Sequence, residues 1–444
     1  VRIAIIGSGI SGLAAGFYLR RAEPTWEIEV FESGQRPGGT MHTTVVDGFH
    51  FEDGGNGFLS NKPDSLQLVA DAGAEHLLLR SSDASRRRFI YDGSLHPLPE
   101  SPPAFLKSRL LTWSEKLRVL AEPLIPPRRD GADETLQEFG YRRVGRGLTD
   151  VFLNAMTAGI HGSTPDRLSV AAAFPLVVGL EQEHGGLFRG MLARRKRGAG
   201  PGGVLMSFHG GVSSLIEHLV KLLDARWHLG TPVSEVIREG SAWRVESPAG
   251  RDTFDQVIVA TPAHAAAAML ASLAPELSTT LSGIRYTPIA VVGLGYRHLD
   301  HPLDGFGLLT TERARQKVLG ILWESSIFSD RVPDGCKSLR VMIGGQRSPE
   351  LVNQEPEGLV ATALEGVAST MGIHAAPDVT HTCRWDLGIP HYEVGHLARV
   401  AACDQALRAL PGLHLIGNAY RGVAMNDCVR EGRELAQRIA NVSR

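Results

Sequence analysis

The opening segment constrains the fold more than any other stretch. Residues 1–6 (VRIAII) form an apolar run with a single charge, the pattern of a central parallel strand. The run passes directly into Gly7-Ser8-Gly9-Ile10-Ser11-Gly12. Leu13, Ala14, Phe17 and Tyr18 then recur at helical spacing, which predicts a helix over 13–21. Residues 28–31 predict a second strand ending at Glu32. Strand, glycine turn, helix and strand make a βαβ unit. Gly7 permits the tight turn, Gly9 lets the backbone approach a pyrophosphate, and Gly12 lets the helix lie close on the sheet. The helix start offers Ile10 and Ser11 N–H groups and a positive dipole end to the anion. Glu32 stands 20 residues past Gly12, where a carboxylate meets a ribose diol. A lone glycine triplet would be weak evidence; with both flanking elements and the acid in place, it reads as a dinucleotide site.

The rest of the chain bounds the alternatives. Its 444 residues suffice for two or three domains, and a net charge of -2 gives no footing for nucleic acid. The cysteines at 336, 383, 403 and 428 form no CxxC pair and no zinc spacing. The chain enters its first strand without a leader pattern, and apolar stretches such as 170–180 are too short to span a bilayer. The expectation is a cytoplasmic protein with free thiols.

Further elements follow from pattern. A helix is expected over 65–72. Thr112-x-x-Glu115 and Ser214-x-x-Glu217 read as capping boxes opening helices. The basic run 194–197 reads as a solvated loop, as does 86–88. Strands are expected at 233–238, 243–247, 256–260, 289–296, 340–344 and 413–416, with a last helix over 425–442. The outline is α/β. A discontinuous Rossmann-like cofactor domain takes 1–60, 205–280 and 395–444. An α+β substrate-binding domain takes 61–80, 191–204 and 281–394, and a mostly helical subdomain takes 81–190.

Several segments carry a family resemblance. Arg36-Pro37-Gly38-Gly39 resembles the second glycine pair of the amine-oxidase superfamily of flavoenzymes, although Thr40 stands where Lys or Arg is usual. Val233 lies in a strand where that superfamily packs backbone on adenine. Residues 258–262 (IVATP), with Ala260 and Thr261, resemble the strand-turn that follows. The closing segment 416–428 (IGNAYRGVAMNDC) resembles that of the FAD-dependent porphyrinogen oxidases of haem synthesis. So do residues 89–99, 159–175, 183–185 and Arg384-Trp385 with 389–396. The resemblance covers nearly the whole chain and implies FAD. It implies cofactor contacts from Gly7, Gly9, Ile10, Ser11, Gly12, Glu32, Ser33, Arg36, Gly38, Gly39, Thr40, Val233, Ala260, Thr261 and Trp385. Gly417, Asn418, Gly422, Val423, Ala424 and Met425 complete that set.

The resemblance also implies the reaction: six-electron oxidation of protoporphyrinogen IX or coproporphyrinogen III, with O2 or another acceptor. The pyrrole nitrogens help expel hydride, so positioning and electrostatics replace a strong base, and no catalytic residue is assigned. Departures fall on the substrate side. Gly54-Gly55 replaces Gly-Pro, Asn56 replaces an arginine of some relatives, and Lys62 matches a lysine of others. Lys62, Asn56 and Tyr420 are the substrate-orienting candidates, and His161 and His391 are expected to be structural. A homodimer and the inner face of a membrane are candidate partners, although no basic amphipathic helix stands out. The rivals are an amine or polyene oxidase of the same superfamily and a flavin or tetrapyrrole carrier without activity. The intact glycines and Glu32 argue against the carrier.

Overall fold

The computed structural model describes residues 1–196 and 203–442. Residue 197 of the basic run, and 198–202 of the segment assigned to the substrate domain, lie outside them. The nucleotide sheet starts with β1 (Arg2–Ile6), α1 (Ile10–Ala22) and β2 (Glu27–Phe31). It is completed by β3 (Arg226–His228), β4 (Gln256–Val259) and β5 (Leu413–Leu415), and α2 (Met425–Val442) closes the chain. The order is β3-β2-β1-β4-β5, all parallel. Ile5 sits between Val30 and Ile258 in register. Both faces are covered, so β1 reads apolar throughout. One face packs on α1 and α2 through Leu13, Phe17, Val429 and Leu435. The other packs on Val236, Trp243 and the helix Ala263–Met269. Each such fully buried Leu, Ile or Val contributes about 1.5–3 kcal/mol, so this core alone commits the chain to the fold.

A second, mixed sheet has the strand order Val379–Pro390, Tyr286–Tyr296, Lys337–Gly344, Val318–Leu322, Gly307–Thr310, Arg88–Tyr91, Leu95–Pro97. The helix Pro356–Met371 covers one face through Leu359, Ala363 and Val367. Arg88–Tyr91 pairs in parallel with Gly307–Thr310, so this stretch joins the large sheet although the sequence reading grouped it with the helices. Leu205–Phe208, grouped with the cofactor segments, pairs with Phe58–Leu59 and Leu78–Arg80.

Short helices fill the insertion between Pro102 and Lys196. Thr112 and Glu115 form the expected capping box, and Thr135 with Glu138 forms another that the sequence reading missed. Ser214 does not cap: the helix starts at Ser213, and the Ser214 hydroxyl donates to the His209 carbonyl at 2.6 Å. Arg194 and Arg195 lie exposed in a helix, Leu187–Lys196, not in a loop. Arg86 pairs with Asp83 and Arg87 with Asp304 at the surface. The insertion turns one apolar stripe outward. Trp113 and Leu124 are 67% and 82% exposed, with Leu117 and Leu120 between them. That stripe is the amphipathic face the sequence reading did not find. No helix among the described residues is long and apolar enough to cross a membrane.

Candidate active site: a dinucleotide cavity

A cavity of about 1030 Å³ runs along the carboxyl ends of β1, β2 and β4. That is the crevice where open parallel sheets hold ligands, and the volume stands at the top of the usual range of roughly 300–1,000 Å³. Gly7 has φ +100°, and a Cβ there would meet the Ala260 carbonyl oxygen at 2.8 Å. Gly12 faces the Gly7 carbonyl so closely that a Cβ would sit 2.2 Å from it. By contrast, a Cβ on Gly9 would find nothing within 4 Å: its backbone faces the open cavity. No side chain caps α1, so its first N–H groups are left for an anion. The second glycine pair packs onto the first, with Gly38 N–H donating to the Ser8 carbonyl at 2.9 Å.

Glu32 closes β2 on the cavity wall. One carboxylate oxygen accepts from Ser8 N–H at 3.0 Å and Ser8 Oγ at 2.6 Å; the other accepts from Gly34 N–H at 2.8 Å. The side chain is thus held in place before any ligand arrives. Ser33, Arg36, Thr40, Val233, Ala260 and Thr261 line the same cavity. Thr261 Oγ1 is buried there with no hydrogen-bond partner among the described residues, a polar atom awaiting a ligand. Gly417, Asn418, Val423, Ala424, Met425 and Trp385 also line the cavity. Val423 to Met425 deliver the N-terminus of α2, and with it the positive dipole end, to the cavity. The glycine cradles, the ready-placed Glu32, the unpartnered Thr261 hydroxyl and two helix starts all suit FAD.

Several candidates lie elsewhere. Gly12 serves helix–sheet packing. Gly422 is not on the wall; a Cβ there would strike Asp427 at 2.5 Å, and its N–H donates to the Tyr392 hydroxyl at 2.9 Å. Tyr420 is buried in the second core beside Leu415 and Ala419, with its phenol pKa pushed far up by burial. Its neighbourhood in sequence to Gly417 carries no information about which way it faces. Lys62 Nζ lies 2.9 Å from Asp427 Oδ1, at the first turn of α2. Asn56 is flanked by two wall residues, Gly55 and Gly57, and its Nδ2 has no partner among the described residues. His161 and His391 are buried away from the cavity; Ser163 Oγ lies 2.6 Å from His391 Nε2.

The wall also includes Pro262 and Arg384, which stand in the resembling segments without a cofactor contact assigned to them, and Met41, Thr231, Tyr286 and Leu387, which the sequence reading passed over. Thr231, Pro262 and Arg384 lie beside residues already singled out, and that adjacency was the available signal. Tyr286 arrives from another strand, and its hydroxyl oxygen accepts the Ala263 N–H at 2.7 Å. Among the described residues no cluster of three His, Cys, Asp or Glu side chains could hold a metal.

Comparison with known proteins agrees with this geometry. The model of the family described as flavin containing amine oxidoreductase matches residues 10–440. Human protoporphyrinogen oxidase is 31% identical over 98% of this chain and 97% of its own length. Coproporphyrinogen III oxidase of Bacillus subtilis (strain 168) is 29% identical over 97% and 96%. A solved structure from Exiguobacterium sp. 255-15 superposes with a TM-score of 0.87 at 29% identity, covering 99% of both chains. A putrescine oxidase structure, at 17% identity and a TM-score of 0.76, shares the fold. With the full length matched and an FAD-shaped cavity at the expected crevice, the chain belongs to the flavin-containing amine oxidoreductase family, among its FAD-dependent porphyrinogen oxidases.

Proposed function

We propose that this chain oxidises a porphyrinogen, protoporphyrinogen IX or coproporphyrinogen III, to the porphyrin, passing the electrons to O2. The observation that carries the reading is the near full-length likeness to relatives named for both reactions. When bound, FAD supplies a two-electron acceptor, and three rounds complete the six-electron change.

The chain's part is to hold and exclude. The Gly7–Gly9 turn and Gly38-Gly39 would hold the phosphates through backbone, and Glu32 would take the ribose. Ile10, Met41, Val423 and Met425 keep water from the inner wall. The start of α2 stabilises negative charge at that wall through its dipole. Nothing in this scheme needs a strong base. On the substrate side Asn56, whose amide N–H between two wall glycines has no partner among the described residues, is the better candidate. Lys62 spends its charge on Asp427. The segments 1–60, 205–280 and 395–444 act as the cofactor domain. The insertion docks peripherally on a membrane through Trp113, Leu117, Leu120 and Leu124.

The test is anaerobic mixing of the FAD-loaded protein with each porphyrinogen in parallel. Flavin bleaching, then porphyrin fluorescence and H2O2 on admitting air, is expected. Bleaching by an amine but by neither porphyrinogen would sink the reading.

A further inference from the structure

Beside the cavity, one carboxylate gathers two histidines from distant parts of the chain. Asp53 Oδ2 lies 2.6 Å from His42 Nδ1, and Asp53 Oδ1 lies 2.6 Å from His381 Nε2. Thr44 Oγ1 donates to the same carboxylate at 3.1 Å. The Asp53 side chain is only 7% exposed. Its backbone is tied as firmly. Asp53 N–H donates to the His42 carbonyl at 2.9 Å, and its own carbonyl accepts the indole N–H of Trp385 at 2.8 Å. Arg340 donates to the next carbonyl, that of Gly54.

Each arm of this brace ends next to the cavity. His42 follows Met41, Asp53 precedes Gly55 and Gly57, and the strand of His381 carries Arg384 and Trp385; all five of those neighbours line the wall. His381 and Trp385 belong to Val379–Pro390, the edge of the large sheet, whereas His42 and Asp53 flank the hairpin Thr43–Val46 and Phe49–Glu52. Asp53 therefore fastens the large sheet to the segment beside the nucleotide fold, next to the cavity. Although burial opposes its ionisation, hydrogen bonds from His381 and His42 hold its carboxyl below the ordinary range. An ionised carboxylate accepts on both oxygens, so both rings can donate to it at once.

We propose that Asp53 is a positioning residue for FAD: by receiving both imidazoles it holds its own carbonyl under Trp385 and so fixes the indole on the cofactor wall. The inference rests on FAD occupying this cavity and not on the identity of the oxidised substrate. Asp53→Asn keeps the shape but replaces one acceptor with a donor, so both imidazoles can no longer donate to it at once.

The experiment measures FAD affinity of the apoprotein by flavin fluorescence quenching. The proteins are wild type, Asp53→Asn, Trp385→Phe and the double variant, with visible circular dichroism of the bound flavin as a second readout. The expected loss is about 10-fold for each single variant, the scale of one hydrogen bond. Because Asp53 acts through Trp385, the double variant should lie within about 3-fold of the weaker single one. The dichroism of both singles should change in the same sense. Multiplying losses, or Asp53→Asn binding FAD like wild type, would overturn the proposal. Should Asp53→Asn fail to fold, His381→Phe removes the donor of one arm alone and keeps the ring stacked on Phe51. It is then expected to weaken FAD binding about 3-fold, and unchanged binding refutes the role. Failure of porphyrinogen turnover with this coupling intact would reject the substrate and leave the brace standing.

Discussion

The nucleotide half and the helical insertion are built on opposite plans. In the nucleotide half apolar residues fill the interior: Ile3, Ile5, Leu13, Val30 and Ile258 pack between helices on a parallel sheet. In the insertion charge lies inside and apolar surface outside. Arg143 and Glu122 are both wholly buried and paired, Glu122 also accepts Leu187 N–H at 2.8 Å, and Arg142 joins Glu134 and Glu181. The insertion's own apolar clusters are small, around Leu110, Val119 and Val151 and around Leu136 and Phe139. A large core tolerates the loss of any one contact. A buried ion network does not, because each partner's charge has no water to fall back on.

The largest test of that contrast is Arg143→Met. It strands Glu122 in the interior and should cost about 3–5 kcal/mol. The expected sign is a first unfolding step, seen by urea and far-UV circular dichroism, that leaves FAD bound. A single transition that releases FAD together with the helices would erase the distinction between the halves.

A smaller effect comes from acid. Burial, with the neighbouring His391 adding to it, holds the His161 imidazole down at about 4. The unfolded chain takes up that proton near the ordinary 6.5, whereas the folded chain resists it down to about 4. The contribution is therefore complete above about 6.5 and is lost as pH falls toward 4. Between pH 7 and pH 5 the wild type should lose roughly 2 kcal/mol through this group. His161→Gln should flatten that slope in urea midpoints taken at both pH values; an unchanged slope would show that His161 does not titrate in this way.

Smallest for folding is the outward stripe. Leu117→Gln with Leu124→Gln removes only exposed side chains, so stability should move by less than about 0.5 kcal/mol. Co-sedimentation with anionic vesicles should drop several-fold. Equal binding by both proteins would place any membrane contact elsewhere.

Legibility in the sequence follows the same divide. Residues 7–12, Glu32, Gly38 and Gly39 were readable because a tight turn, a helix start and a strand end are set by neighbours along the chain. Met425–Val442 was readable from its periodicity. The Asp53–His381 contact spans 328 residues and Lys62–Asp427 spans 365, and no local pattern encodes either. Tyr420 was misjudged because a residue next to a cavity motif can face the core as readily as the ligand. The Ser214 box failed because a serine three residues after a glycine pair found a nearer carbonyl than the expected helix N–H.

The sequence alone determined that this chain builds a parallel βαβ crevice for a dinucleotide, since glycine conformational freedom and strand-helix periodicity are short-range properties. Only the tertiary structure decided which polar groups meet across that crevice, how Asp53 ties Trp385 to its wall, and which way the insertion turns its apolar face. Those depend on distances between segments that are remote in the chain, and packing alone brings them together.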